Sequence, residues 1–181
     1  MKVIVISASP NKIGLTNTCV ETCVTALKKQ KQEVETICLN DFNIERCEAC
    51  GPRGWGNCLE KHRCGKKDDF GLLREKINSY EAIILISPVY FWEMSEVAKT
   101  FFDRYKRCEF SDEKVLSKNR RIMFVAAAGG SGRGTKECLA SMSYLAHFLK
   151  WKVVDYTGVT RANVMNKKLQ MIKSVKKLIT G

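Results

Sequence analysis

Two hydrophobic periods alternate along this chain, and that alternation limits the fold more than any other feature. Lys2–Ala8 is an almost unbroken apolar, β-branched run, as a strand covered on both faces requires. Glu81–Ser87 and Arg121–Ala128 repeat the pattern, and Glu33–Leu39 and Trp151–Val159 are further strand-like runs. Between them the period changes to that of a helix. Asn17–Gln30 places Val20, Val24 and Leu27 on one face. Asp68–Ser79 opens with two acids, which suit a helix N-terminus. Ser95–Cys108 has Ser95 as its expected N-cap. Thr135–Leu149 and Met165–Ile179 complete the set; in the last, Met165, Leu169, Ile172 and Ile179 repeat as an apolar stripe at helical spacing.

Five strands alternating with five helices predict an α/β fold with a parallel sheet. Right-handed crossovers make it a doubly wound three-layer sandwich with helices on both faces. A five-stranded sheet fits the flavodoxin-like order 2-1-3-4-5 better than the six-stranded dinucleotide order. At 181 residues, with no repeat or linker, the chain reads as one domain. The segment Asn40–Lys67 is an insertion at the sheet's rim, and loops of that length in small domains are usually functional. The longest apolar runs, Ala82–Ile86 and Ile122–Ala128, fall far short of a bilayer span. The N-terminus turns polar at once, as a strand does and a signal peptide does not. A cytoplasmic protein without membrane contact is expected. The 31 Lys and Arg against 19 Asp and Glu give a net charge of +12, which favours anionic partners. The basic residues are dispersed without a dense stripe, so nucleic-acid binding is not expected.

Ligands of open α/β sheets sit at the carboxyl ends of the strands, next to the point where strand order reverses. Here that directs three loops at one ligand. Ser9-Pro-Asn-Lys-Ile-Gly-Leu-Thr-Asn-Thr18 runs into a helix N-terminus, where unpaired N–H groups and the helix dipole favour an anion. Ser9, Thr16, Asn17 and Thr18 can complete an uncharged phosphate cradle. It is not a Walker loop, because the Gly-Lys-Ser/Thr ending is missing. Ser87-Pro-Val-Tyr-Phe-Trp-Glu-Met94 supplies an aromatic wall in Tyr90, Phe91 and Trp92, suited to a flat heteroaromatic ring. Gly129-Gly-Ser-Gly-Arg-Gly134 allows backbone to approach a ligand closely. A flavin mononucleotide fits a pocket made from these three.

The same segments, together with Lys99-Thr-Phe-Phe-Asp-Arg104 and Cys64-Gly-Lys-Lys-Asp-Asp-Phe70, resemble the NADPH-dependent FMN reductase family from Met1 to about Val159, and within it the iron–sulfur flavoprotein branch. The resemblance implies an FMN-dependent oxidoreductase that takes electrons from NADPH or NADH. Ser9, Asn11, Thr16, Asn17 and Thr18 would bind the FMN phosphate. Pro88, Val89, Tyr90 and Phe91, with Trp92 beside them, would lie along the isoalloxazine. Gly129, Gly130, Ser131, Gly132 and Gly134 would close its other edge. The family often carries Arg or Lys where this chain has Asn11, which leaves Lys12 or helix-end amides to balance the phosphate. Chemistry in such proteins belongs to the flavin, so no catalytic acid or base is expected.

Nine cysteines without a secretory signal read as metal-binding, catalytic or buried thiols rather than disulfides. Cys47, Cys50, Cys58 and Cys64 cluster in the insertion. A C-x2-C pair with two further thiols on one loop can hold a four-thiolate group. The iron–sulfur flavoproteins resemble this, with a more compact spacing between the second and third cysteine than Gly51-Pro-Arg-Gly-Trp-Gly-Asn57 leaves here. A [4Fe-4S] cluster, zinc and free redox-active thiols all stay open. Cys19, Cys23, Cys38, Cys108 and Cys138 read as simple buried or half-buried thiols. A cluster would bring a ferredoxin-like protein partner into play. The acceptor is otherwise a small molecule, and the family's habit implies a homodimer or homotetramer. The rival readings are a flavodoxin-like electron carrier without its own substrate and a thiol redox sensor.

Overall fold

In a computed structural model that describes residues 1–110, 112–116 and 119–181, the alternating periods become alternating layers. The strands are β1 (Lys2–Ser7), β2 (Glu33–Cys38), β3 (Ala82–Tyr90), β4 (Glu93–Met94), β5 (Arg121–Ala128) and β6 (Lys152–Thr160). The helices are α1 (Leu15–Lys29), α2 (Asn57–Glu60), α3 (Phe70–Asn78), α4 (Glu96–Glu109), α5 (Glu113–Leu116), α6 (Thr135–Phe148) and α7 (Val164–Thr180). The sheet order is β2-β1-β3-β5-β6, all parallel, with β4 paired antiparallel to β3. With β4 set aside this is the expected order. Among the described residues no helix is long and apolar enough to cross a membrane.

Side chains alternate across the sheet and divide the core in two. Ile4, Ile6, Ile83, Leu85, Ile122 and Phe124 face α3, α4 and α6. Val3, Val5, Ile84, Ile86, Met123 and Val125 face α1 and α7. Both faces are dry, which is why these strands read as continuous apolar runs and not as alternating ones.

Two expectations are corrected. The predicted loop Pro88–Met94 is largely strand and hairpin. β3 continues beside β5 through Ser87–Ala126 and Pro88–Ala127, then folds back through Val89–Met94 and Tyr90–Glu93. A proline inside a strand reads as a terminator because it lacks an N–H. On the β1 side, however, pairing has ended at Ser7–Ile86, so Pro88 stands where β3 has become an edge. The second correction concerns α7. Met165 and Leu169 are 73% and 64% exposed, and Ile172 is exposed beside them. The buried face is Met171, Val175 and Leu178, with Ser174. Two apolar stripes share this helix, and the periodicity alone does not say which one meets the sheet.

Candidate functional site

At the carboxyl edge of the sheet, buried hydrogen bonds tie the predicted loops to one another. The Ala8 N–H donates to Ile86 O (2.9 Å), joining the exit of β1 to β3. The Ser95 hydroxyl donates to Ala8 O at 2.7 Å, and the Ser95 N–H donates to Ser87 Oγ at 2.9 Å. Ser95 does occupy the N-cap position of α4, but its side chain makes no cap bond. It is spent across the sheet on the β1–α1 loop, which corrects the capping role expected of it. On the other side, the hairpin meets the glycine loop. A Cβ on Gly134 would lie 2.9 Å from Trp92 Cδ1 and 3.0 Å from Val89 Cγ1, and Gly134 has φ +83°. No other residue type fits that contact and that backbone together.

The β1–α1 loop is held in shape by its own side chains. Ser9 and Thr16 are buried. Ser9 Oγ accepts the Asn11 N–H at 3.2 Å, and Asn11 Oδ1 accepts the Ile13 N–H at 3.0 Å. α1 then starts after Gly14 with no side-chain cap and no acid in its first turn, so its first N–H groups lack intrahelical partners. Asn17 and Thr18 turn along the helix instead, Asn17 Nδ2 donating to Glu21 (2.9 Å) and Thr18 Oγ1 to Gly14 O (3.4 Å). The Lys12 ammonium is paired with Asp41 at 2.9 Å. The unpaired N–H groups at the start of α1 and the Lys12 side chain are the positive groups of this loop.

Phe91 and Trp92 form the two-residue turn between β3 and β4 with φ of +47° and +66°. Both in the left-handed region is the arrangement of a type I′ hairpin, usually made by Asn-Gly. Their rings meet edge to face at 5.3 Å, and Phe91 is 90% exposed. Gly129 and Gly130 face open space, while Gly132 takes φ +75° against Thr160. Pro88, Val89 and Tyr90 lead into the hairpin, and Ser131 lies in the glycine loop, its Oγ accepting the Arg133 N–H at 3.4 Å.

A second site lies at the other end of α4. Cys47, Cys50, Cys58 and Cys64 all line one cavity of about 30 Å³, and Cys108 of α4 joins them. They ring it rather than meet at a point: among the described residues no three His, Cys, Asp or Glu side chains group closely enough to hold one metal ion. Arg104, Arg107, Lys66 and Glu48 complete its charged wall. The loop that carries the thiols is clamped to α4 by a buried ion pair. Arg104 and Asp68 side chains are 1% and 0% exposed, and Arg104 Nη2 donates to Asp68 Oδ1 at 2.9 Å. Arg104 Nη1 also donates to Glu45 O at 2.8 Å, and its guanidinium lies 4.1 Å over the Phe70 ring. Asp68 Oδ2 accepts the Glu45 N–H at 2.9 Å. Burial pushes the Asp68 carboxyl up, and Arg104 with the N–H groups of Glu45 and Phe70 more than offsets it, so the carboxyl titrates below its ordinary range. Lys66 bridges Glu45 (2.7 Å) and Glu48.

The nine cysteines divide by environment. Burial pushes Cys19 and Cys138 up to about 12, which makes them protonated and inert near neutral pH. Cys108 is also pushed to about 12 by burial, yet it faces the other thiols. Sequence reasoning missed this residue, as it missed Arg104 and Arg107. A helical i, i+4 relation links Arg104 to Cys108, but nothing in the sequence aims that face at the loop. Cys64 additionally borders a larger groove, with His62 and Arg74 on its walls; His62 Nδ1 is buried without a partner. His147 is an exposed helix residue against Phe148.

With this geometry in place, residues 1–164 match the family model described as NADPH-dependent FMN reductase. The chain belongs to this family. By that membership it is an NAD(P)H-dependent flavin oxidoreductase. It is 30% identical over 149 residues to an iron–sulfur flavoprotein of Archaeoglobus fulgidus, covering 82% of this chain and 69% of that one. A second iron–sulfur flavoprotein of that organism is 33% identical, with only 45% of its length covered. Among solved structures, the NAD(P)H:quinone oxidoreductase from Methanothermobacter marburgensis superposes with a TM-score of 0.69 at 14% identity, over 100% of this chain and 97% of that one. At that identity the likeness concerns the fold.

Proposed function

We propose that this reductase seats FMN across the three loops at the carboxyl edge and passes electrons from a reduced nicotinamide to an acceptor. The observation that carries the reading is the tying of those loops into one rim by Ser95–Ala8 on one side and Trp92–Gly134 on the other. The residues fit the cofactor. The buried Ser9 and Thr16 and the acid-free start of α1 offer hydroxyls and N–H groups to a phosphate without a cation. Asn11 holds the loop's shape through Ile13. Pro88–Trp92 form one wall for a flat ring, and Gly129–Gly134 the facing edge. When bound, the flavin supplies hydride acceptance and electron release; the protein's part is placement and exclusion of water.

The lining of the thiol cavity supports reading Cys47, Cys50, Cys58 and Cys64 as ligands of a [4Fe-4S] cluster. Zinc draws four sulfurs to about 2.3 Å from a single point, whereas a cluster takes one thiolate at each of its irons and suits thiols spread around a wall. Arg104 Nε and Arg107 Nε are buried there without hydrogen-bond partners, donors suited to an anionic occupant. The acceptor is a small molecule or a ferredoxin-like acidic protein, which the +12 charge would attract, and the working unit is a homo-oligomer in the cytoplasm. The test is an absorption spectrum of protein purified without oxygen, before and after dithionite, with iron and sulfide assayed and NADPH turnover measured. Flavin bands over a bleachable shoulder, with about four irons per chain as such a site requires, support the whole reading. Flavin without iron leaves the reductase and removes the cluster. Failure to take up FMN on titration overturns the proposal.

A further inference from the structure

Three cations stand on the wall of the thiol cavity, and they are not equivalent. Lys66 is offset by Glu45 and Glu48, and Arg104 by Asp68. Among the described residues, no carboxylate lies within ion-pair distance of Arg107. Its guanidinium stacks 4.1 Å from the Trp55 ring, and Nη2 donates to Gly54 O. Its Nε is buried with no partner. A charge held in a partly dry site without a counterion is costly unless something anionic completes it.

The partners of Arg107 come from the segment between the second and third clustered cysteines. Gly51–Asn57 separates the second cysteine from the third. It turns tightly, Gly54 N–H donating to Gly51 O at 3.1 Å. A Cβ on Gly56 would come within 2.7 Å of Cys50 Sγ, so the segment returns close along the cavity before reaching Cys58. Between those points it extends to α4, where Trp55 and Gly54 receive Arg107.

Resting on the reading of the four thiols as a cluster site, we propose that Arg107 is a positioning residue for that site: the Gly51–Asn57 segment docks it on the cavity wall, and its unpaired charge and Nε–H stabilise the more negative, reduced state of the group the thiolates hold. Nearby charge and hydrogen bonds to sulfur are the levers by which a protein sets such a potential.

The experiment is a redox titration of the oxygen-free protein, followed by absorption, with iron and sulfide measured on every sample. Arg107→Met is expected to keep its iron and to show about a tenfold higher oxidised-to-reduced ratio at the wild-type midpoint, a fall of about 59 mV for one electron. Arg107→Lys keeps the charge but not the fork, and shifts less. Trp55→Leu unseats the guanidinium without removing it and shifts in the same direction; with Arg107→Lys it carries the test if Arg107→Met loses iron. Lys106→Met is the control for charge alone: Lys106 does not line the cavity, its Nζ lies 4.7 Å from the centroids of the Phe110 and Phe148 rings and 6.0 Å from that of Trp55, and methionine keeps an apolar side chain against those rings. An iron-loaded Arg107→Met with the wild-type midpoint overturns the proposal, as does an equal shift in Lys106→Met. Wild-type protein without iron and sulfide overturns the cluster reading itself, and the role of Arg107 with it.

Discussion

Replacing Asp68 by Asn removes one charge from a pair whose two side chains are 1% and 0% exposed. The amide is nearly the same size, so packing is preserved and the electrostatic loss is isolated. Arg104 is then left buried with its charge uncompensated, and one former acceptor oxygen becomes a donor facing the guanidinium. Breaking such a pair by removing one partner costs about 3–5 kcal/mol. With a urea m-value of roughly 2–3 kcal/mol/M for a chain of this size, the unfolding midpoint should fall by about 1–2.5 M. Tryptophan fluorescence and circular dichroism would follow it. The control is Asp103→Asn, which removes an exposed i, i+4 pair with Lys99, worth only about 0.3–0.5 kcal/mol. The pair also predicts a pH dependence. The Asp68 carboxyl titrates below its unfolded value, so its contribution is fully present above that unfolded pKa and is lost as pH falls through the folded one. Wild type should therefore lose more stability on acidification than Asp68→Asn. If Asp68→Asn shifts the midpoint no further than Asp103→Asn, the clamp between the cysteine loop and α4 is not what holds that loop.

Four further substitutions test three separate features. Gly134→Ala forces a methyl into the left-handed region and against Trp92; it should cost at least about 1–2 kcal/mol in thermal unfolding and weaken FMN binding in a fluorescence titration. Leu169→Lys should leave stability within about 0.5 kcal/mol, while Met171→Ala, two residues on, should cost about 2–5 kcal/mol; the reverse order would put the other stripe of α7 on the core. Lys12→Ala should leave FMN affinity within about twofold if the N–H groups at the start of α1 carry the phosphate; a tenfold loss would assign the phosphate's counter-charge to Lys12.

The fold was legible because β1, β3 and β5 are buried on both faces, and a parallel sheet covered by helices on both sides hides such runs. The site was legible in part, for a related reason. Strand order puts the loops after β1, β3 and β5 on one edge whatever their side chains do. What the side chains do there was not legible. Ser95 looks like a helix cap because capping is a local rule, and its bond to Ala8 spans 87 positions. Pro88 looks like a strand end because the sequence does not say that β1 stops pairing at Ile86. The cysteine loop could be read as a four-thiolate set from spacing, but its fifth thiol and its arginines come from α4. That helix is set against the loop by Asp68, a residue that reads as nothing more than a favourable charge at a helix start.

The clamp also bears on the order in which the thiol site is assembled. In small zinc domains the metal folds the chain, and the free energy of binding is spent on ordering ligands. Here Arg104 reaches Glu45 and Asp68, and Lys66 gathers Glu45 and Glu48, through bonds in which no thiol takes part. The loop thus takes its shape from the polypeptide, and a cluster bound as proposed above would meet ligands already arranged. Less of its binding energy goes to organising the chain, so removing the cluster should leave a folded protein able to accept another.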